Sequence, residues 1–248
     1  MIILGTRCGS VIRGLLGLAV CAVALSAIPS VARADTSMQL TGVGDQATLG
    51  NVYVDPYTAT VGTNTNVPVI CDDWSDNSYL GEQWTAKVAN ASTVGTVGSP
   101  MFGNNQTLYN EVTYLAAQLM SNSTNPTNQT EYSFAIWALT YGANGTPAAT
   151  PDPLSYLAAN LSGGKSNAEY IATVADLNYA KTYEANYNST GWEILTPIPG
   201  TSVPSSDGTP QEFLVKTPEP STLLMLILGL GGLLGLAWRQ RRSASPLA

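Results

Sequence analysis

Two apolar segments, one near each end of the chain, most constrain what this chain can fold into. The first covers residues 15–28 and the second covers residues 222–238, and neither contains a charged residue. Uncharged apolar runs of this kind are typical of export signals and membrane helices rather than of a soluble core. About 180 residues between them, 35–217, are therefore left to fold, which is enough for one domain with its own core.

The N-terminal segment has the three parts of a secretory signal peptide. Arg7 and Arg13 supply a positive start, the apolar run follows, and Ala32-Arg33-Ala34 is a small-x-small cleavage site. We therefore predict that residues 1–34 are a signal peptide and that cleavage occurs between Ala34 and Asp35. An uncleaved N-terminal anchor is the alternative.

The composition of the remaining chain excludes several kinds of site. Removal of the signal peptide leaves Cys71 as the single cysteine, so no intramolecular disulfide can form. The chain has no histidine, which argues against a triad hydrolase and a histidine-ligated metal enzyme. We expect a protein that is not an enzyme, with no catalytic residue, no metal and no cofactor. An enzyme that works with carboxylates alone remains the alternative.

The charge of the central segment is strongly one-sided. Residues 35–217 contain nine aspartates and seven glutamates against four lysines and no arginine, a net charge of −12. Such a surface repels nucleic acid, so no nucleic-acid partner is expected. Together with many Asn, Thr, Ser, Gly and Tyr residues, this charge is typical of a solvated extracellular protein.

The C-terminal tail has a distinct three-part pattern. Pro218-Glu219-Pro220 comes first, an uncharged run of 17 residues (222–238) follows, and Arg239, Arg241 and Arg242 end the pattern. A run of this length is near the lower limit of roughly 17–25 residues for one transmembrane helix. The arginines would remain on the cytoplasmic side, so the domain would face outward.

In this order, the three parts resemble the PEP-CTERM sorting signal of Gram-negative bacteria. The resemblance implies that Pro218-Glu219-Pro220 is a recognition motif for exosortase, a membrane cysteine protease and transpeptidase, and that the arginines are a stop-transfer cluster. It also implies an exported protein that is anchored in the inner membrane by the C-terminal helix before processing and is then passed to the outer envelope or released. Because the family is associated with exopolysaccharide and biofilm, extracellular polysaccharide is an expected partner. The alternative is a single-pass anchor that is never processed.

Periodicity within residues 35–217 predicts an α+β fold, with strands, then helices, then strands. We predict the domain over 35–199, a linker and final strand over 200–217, and the sorting signal over 218–242. The predicted strands are 38–43, 51–54, 67–71, 83–88, 192–195 and 212–215, and the predicted helices are 106–120, 131–141 and 167–184.

A second resemblance concerns Cys71. Val69-Ile70-Cys71-Asp72-Asp73-Trp74, followed by Phe134-Ala135-Ile136-Trp137, is similar to thioester domains of bacterial surface adhesins. In those domains a cysteine bonds to a glutamine just before the Ala-Ile-Trp helix and captures nucleophiles covalently. Here Ser133 occupies the glutamine position, and Gln129 is predicted to lie on another helical face or outside the helix. The resemblance implies a shared scaffold, with a covalent adhesin using Cys71 as an alternative function.

Two further groups of residues are candidates for a site. Asp72 and Asp73 with a distant glutamate could serve a glycan-acting enzyme, and Asp72, Asp73 and Asp76 could bind calcium, although the loop lacks calcium-site spacing. Aromatic residues could form a sugar-binding face or belong to the core: Tyr53, Tyr57, Trp74, Tyr79 and Trp84. The sequence thus favours a non-enzymatic structural or adhesive surface protein linked to exopolysaccharide.

Overall fold

The computed structural model describes residues 34–94, 100–143, 151–204 and 208–217, together with Gly229 and Leu233. The predicted signal peptide, apart from Ala34, and the predicted sorting signal, apart from those two residues, lie outside this part. Within the described part of the chain, no helix combines the length and apolar character needed to cross a membrane.

Six antiparallel strands form a closed sheet in the order β1-β4-β5-β8-β7-β6, and β6 pairs with β1 to complete it. Two very short strands, β2 and β3, form a separate ribbon. The strands are β1 Thr36–Val43, β2 Thr48–Leu49, β3 Val52–Tyr53, β4 Tyr57–Val61, β5 Asn64–Cys71, β6 Gln83–Asn90, β7 Trp192–Pro197 and β8 Phe213–Lys216. Closure pairs all six strands on both sides, so their edges are satisfied.

Alternation of side chains along the strands divides the core into two parts. One part fills the interior of the closed sheet, because its members come from all six strands: Met38, Leu40, Ala59, Val69, Cys71, Trp84, Ala86, Val88, Leu195, Phe213 and Val215. The neighbouring residues Ile70, Ala89, Ile194 and Leu214 point the other way and belong to a second core shared with the helices.

Four α-helices pack on this second face: α1 Gln106–Ser121, α2 Pro126–Thr140, α3 Pro153–Asn160 and α4 Ala168–Tyr183. Short 3₁₀ turns lie at Ala91–Thr93 and Gly164–Ser166. Each α-helix begins after a side chain that accepts backbone N–H bonds, in order Asn105, Asn125, Asp152 and Asn167. Proline at the first position of α2 and α3 fits the same rule, since it has no N–H to leave unpaired.

The α+β prediction is confirmed, with differences in detail. Helix α2 starts at Pro126 rather than at residue 131, because Asn125 caps the helix and a proline is tolerated in the first helical turn. Strand β4 and helix α3 were not predicted. In the predicted linker, Val203 exchanges backbone hydrogen bonds with Gln83 of β6, so the start of that segment is attached to the sheet.

Candidate functional site

A cleft of about 470 Å³ lies where the β2–β3 ribbon, the loop after β5, the start of α3 and the segment before β8 meet. Its described lining residues are Asn51, Val52, Tyr53, Tyr57, Trp74, Ser75, Asp76, Asn77, Ser78, Tyr79, Trp137, Pro151, Tyr156 and Gln211. Four of the five aromatic residues proposed for a sugar-binding face are among them. The fifth, Trp84, is only 3% exposed and lies inside the closed sheet, so it belongs to the core, the alternative stated for these residues.

Packing behind the cleft fixes the ring of Trp74. Its centroid lies 5.2 Å from that of Trp137, 5.7 Å from that of Phe134 and 5.3 Å from that of Tyr156. Its indole N–H also donates a 3.0 Å hydrogen bond to the carbonyl of Pro151. A partly exposed ring held by this many contacts presents a rigid aromatic surface to the cleft.

Two tyrosines complete the aromatic surface, one from the same loop as Trp74 and one from another element. Tyr79 is 56% exposed in the loop after β5, and Tyr53 is 37% exposed on β3. The Tyr53 ring meets that of Tyr57 edge to face at 6.4 Å. Two separate segments, the loop after β5 and strand β3, thus contribute exposed rings that a ligand can contact.

The β2–β3 turn is fitted closely against α3. Gly50 has a φ of +59°, and a Cβ at this position would lie 2.5 Å from the Tyr156 hydroxyl and 2.7 Å from the Asn160 side-chain oxygen. The N–H of Asn51 donates to the Tyr156 hydroxyl at 3.0 Å. Only glycine combines this left-handed conformation with so close an approach, and the contact sets the position of Tyr156 in the cleft wall.

Asp76 is the single charged residue among the described residues that line the cleft, and it is partly buried. Burial raises its pKa, and hydrogen bonding to the Asp73 carboxyl group offsets part of this increase. Besides the hydroxyls of the four lining tyrosines, polar groups are supplied by the amides of Asn51, Asn77 and Gln211 and the hydroxyls of Ser75 and Ser78. The cleft therefore combines aromatic faces with neutral hydrogen-bonding groups and one carboxylate.

Asp73 lies beneath the cleft and holds its loop in place. Its Oδ1 atom accepts a 2.8 Å hydrogen bond from the N–H of Ser75, and its carbonyl accepts a 2.7 Å bond from the Gln211 side chain. Burial is the main cause that raises the pKa of Asp73, to about 7. The Gln211 N–H in turn donates to the Ser78 hydroxyl at 2.9 Å, which ties both ends of the loop to the segment before β8.

A second acidic group is wholly buried between the sheet and the helices. Glu212 accepts hydrogen bonds from the Tyr109 hydroxyl at 2.6 Å, the Met101 N–H at 2.8 Å and the Thr196 hydroxyl. Burial and the adjacent Glu212 carboxylate raise the pKa of Asp72 well above its usual range. Two buried acids this close are not expected to be ionised together, so one of them holds a proton. Three donors stabilise the Glu212 carboxylate, whereas no donor bonds to either carboxyl oxygen of Asp72, so we assign the proton to Asp72.

The structure brings Asp72, Asp73 and a distant glutamate close together, as the carboxylate-enzyme alternative requires. The three side chains are nevertheless at most 1% exposed, so a polysaccharide cannot contact them. Within the described residues, no group of three or more acidic or cysteine side chains has an arrangement suited to a metal ion.

Cys71 points into the interior of the closed sheet and is 4% exposed. Its thiol donates to the carbonyl of Asp73 at 3.1 Å, and burial raises its pKa well above the usual range. Helix α2 contacts this region through its second half, where the Trp137 indole N–H donates to the Cys71 carbonyl at 3.1 Å.

The prediction for Gln129 was wrong. Gln129 lies inside α2, is fully buried, and is one turn before Ser133, hence on the same face. Its amide donates to Asp45 and to the carbonyl of Ser123, while the Ser133 hydroxyl donates to the carbonyl of Val54 at 2.6 Å. At 1.5 Å per residue, Gln129 is about 12 Å along the helix axis from Trp137.

Sequence reasoning missed Tyr156 and Gln211 as cleft residues. Tyr156 belongs to the unpredicted helix α3, although Asp152-Pro153 is a cap followed by a first-position proline and could have indicated it. Gln211 lies two residues before β8, and no local pattern places it beside a loop more than 130 residues away.

Comparison with known proteins gives one family match and several structural likenesses. The chain is similar to the N-terminal thioester domain of fibronectin-binding protein SfbI from Streptococcus pyogenes (TM-score 0.40, 11% identity, 77% of this chain and 97% of that chain). It is also similar to the N-terminal thioester domain of a surface protein from Clostridium perfringens (TM-score 0.39, 10% identity, 74% of this chain and 99% of that chain). Likenesses this distant carry no functional argument.

A search of curated protein sequences found no match. The family model that does match is the PEP-CTERM protein-sorting motif, over residues 216–242. This range contains Pro218-Glu219-Pro220 and the arginines at 239, 241 and 242. The chain thus carries a PEP-CTERM protein-sorting motif at its C-terminal end, as the order of its tail segments predicted.

Proposed function

We propose that this chain is a non-enzymatic surface protein that an exosortase-like enzyme processes and whose extracellular domain binds polysaccharide in the aromatic cleft. The sorting motif implies an exosortase-type partner, export and association with the cell surface. We propose further that the C-terminal helix anchors the protein in the inner membrane before cleavage near Pro218-Glu219-Pro220. The processed protein would then belong to a biofilm or exopolysaccharide matrix.

The composition of the cleft is the observation that supports polysaccharide as the ligand. Aromatic faces stack on the apolar faces of sugar rings, and neutral amides and hydroxyls orient the sugar hydroxyls. Trp74, Tyr53 and Tyr79 supply the rings, and the Asn, Ser and Gln side chains around them supply the polar groups. The volume of about 470 Å³ falls within the usual range for ligand sites, roughly 300–1,000 Å³.

Burial of the acids favours binding over catalysis. A glycosidase places two carboxyl groups on either side of the bond that it cleaves. Among the described lining residues, Asp76 is the single carboxyl group. Asp73 is its nearest acidic partner in the sequence, but it is 1% exposed and is occupied with the loop backbone.

The covalent adhesin is less well supported. A thioester needs a glutamine amide against the Cys71 thiol, but Ser133 occupies that position and donates to Val54. The amide of Gln129 is bound to Asp45 and Ser123 instead. An intact mass lower by one ammonia, restored in a Cys71→Ala variant, would revive this function.

Top-down mass spectrometry of the protein from its native host tests the sorting. Envelope and medium fractions should contain a form that starts at Asp35 and ends near Pro218-Glu219-Pro220. A main pool that still carries Arg241 and Arg242 would indicate an unprocessed single-pass anchor and contradict the proposal.

Glycan binding by the same mature protein tests the cleft. We expect Tyr79→Ala to weaken binding to the host's own extracellular polysaccharide by roughly tenfold, which corresponds to about 1.4 kcal/mol. Tyr183→Ala is the matched control, because Tyr183 on α4 is exposed to a similar degree, 69%, and does not line the cleft. Equal losses in both variants, or no binding by the wild type, would contradict a role for the cleft.

A further inference from the structure

The charge of the cleft narrows the class of sugar that it can take. Asp76 is acidic, and none of the described lining residues is basic. The whole segment 35–217 carries a net charge of −12 with four lysines, none of them in the cleft. A glycan of uronic acids or sulfated sugars would therefore enter a negative potential with no compensating cation.

We propose that the cleft is selective for glycans that carry free amino groups and that Asp76 is the residue responsible. This inference rests on the proposed function, since it specifies the ligand of the same cleft. An ammonium group on a sugar ring would pair with the Asp76 carboxylate while the ring stacks on Trp74 or Tyr79. Neutral sugars would keep the stacking and lack the ion pair.

The position of Asp76 supports this assignment. It follows Trp74 by two residues and precedes Tyr79 by three, in a loop that Asp73 and Gln211 hold at both ends. Asp76 therefore lines the same cleft as the two rings, in a loop whose position is fixed by these hydrogen bonds. Partial burial lowers the local dielectric constant, which strengthens an ion pair relative to one in open water.

The rings add to the same selectivity. An ammonium group over the face of a tryptophan or tyrosine is attracted by the negative π face of the ring. An acetylated amine has no such charge. Aromatic faces and carboxylate thus favour the same ligand chemistry, and both disfavour an anion.

The test measures the binding of three oligosaccharides of matched length to the mature protein by titration calorimetry at low salt. The probes are a glucosamine hexamer, its fully N-acetylated counterpart and an oligouronate. We expect the wild type to bind the glucosamine hexamer about threefold to tenfold more tightly than the acetylated one, as for a partly buried ion pair. The oligouronate should bind most weakly, and added salt should narrow the difference.

Variants assign the effect to Asp76. Asp76→Asn should remove most of the preference and leave only the smaller attraction of the rings for the ammonium group, and Asp76→Glu should keep the full preference. Asp176→Asn is the control, because it makes the same change in net charge at a partly buried acid on α4 outside the cleft. Thermal melting checks that each variant is folded.

The outcomes separate the two proposals. Equal wild-type affinity for both hexamers, tighter binding of the oligouronate, or a preference undiminished in Asp76→Asn would overturn the amino-sugar inference and leave polysaccharide binding intact. No binding of any of the three probes would overturn the amino-sugar inference, and no binding of the host's own extracellular polysaccharide would overturn the proposed function as well.

Discussion

Replacing Asp73 with asparagine tests whether a buried acid destabilises this domain as pH rises. The ordinary pKa of the Asp73 side chain is 3.8, and burial raises it to about 7 in the folded protein. The folded state then binds a proton more tightly than the unfolded state does. Stability from this group is fully present below pH 3.8 and is lost as pH rises through 7.

The magnitude follows from the same two values. Each pH unit between the unfolded and folded pKa is worth about 1.4 kcal/mol, so between pH 5 and pH 8 the protein should lose on the order of 2–3 kcal/mol from Asp73. In a domain of this size that corresponds to a decrease of roughly 5–10 °C in melting temperature. Asparagine cannot ionise, yet it keeps the oxygen that accepts from the N–H of Ser75.

Urea denaturation at pH 5 and pH 8, monitored by tryptophan fluorescence, measures the effect on the mature protein. Asp73→Asn should lose 2–3 kcal/mol less than the wild type over this interval, by the linkage argument above. Asp152→Asn is the control, because Asp152 caps α3 and hydrogen bonds from Ser155 lower its pKa, so it stays ionised throughout. An unchanged pH dependence in Asp73→Asn, or a wild type that becomes more stable towards pH 8, would refute the reasoning.

Two further predictions concern the thiol and the ribbon turn. Cys71 should resist maleimide in the native protein and react fully in denaturant, because it is 4% exposed and burial raises its pKa; rapid native labelling, measured by intact mass, would contradict this. Gly50→Ala should cost about 1–3 kcal/mol, from the left-handed φ and the contact with Tyr156, and should also weaken glycan binding. Urea denaturation and titration calorimetry measure both effects, and an unchanged stability would contradict the fit that we describe.

Local patterns predicted the elements better than they predicted how these elements assemble. Apolar residues at helical spacing placed α1 and α4 to within a residue or two, since that signal lies within each helix itself. The closed sheet depends on β8 pairing with β5 across more than 140 residues, and nothing local specifies that partner. Strand β4 was missed although its sequence, Tyr-Thr-Ala-Thr-Val, alternates apolar and polar residues as a half-buried strand does.

The cleft shows the same limit at the level of single residues. Trp84 was grouped with the sugar-binding candidates, yet it alternates with Ala86 and Val88, and that pattern itself places it on the core face. Trp74 follows β5 after two buried acids and lies in a loop. The alternation of side chains along a strand therefore does not predict which way its ring points. Its place in the cleft depends on Trp137 and Tyr156, which come from two different helices.

The sorting motif and the proposed binding cleft lie in separate parts of this chain, so delivery can fail without loss of the cleft, and the reverse. The sorting motif over 216–242 begins at the last residue of β8, and the cleft depends on Gln211, just before that strand. Cleavage near Pro218-Glu219-Pro220 would leave every described cleft residue and the whole closed sheet intact. The processed protein would therefore keep the proposed binding site, which the proposed role in an extracellular matrix requires.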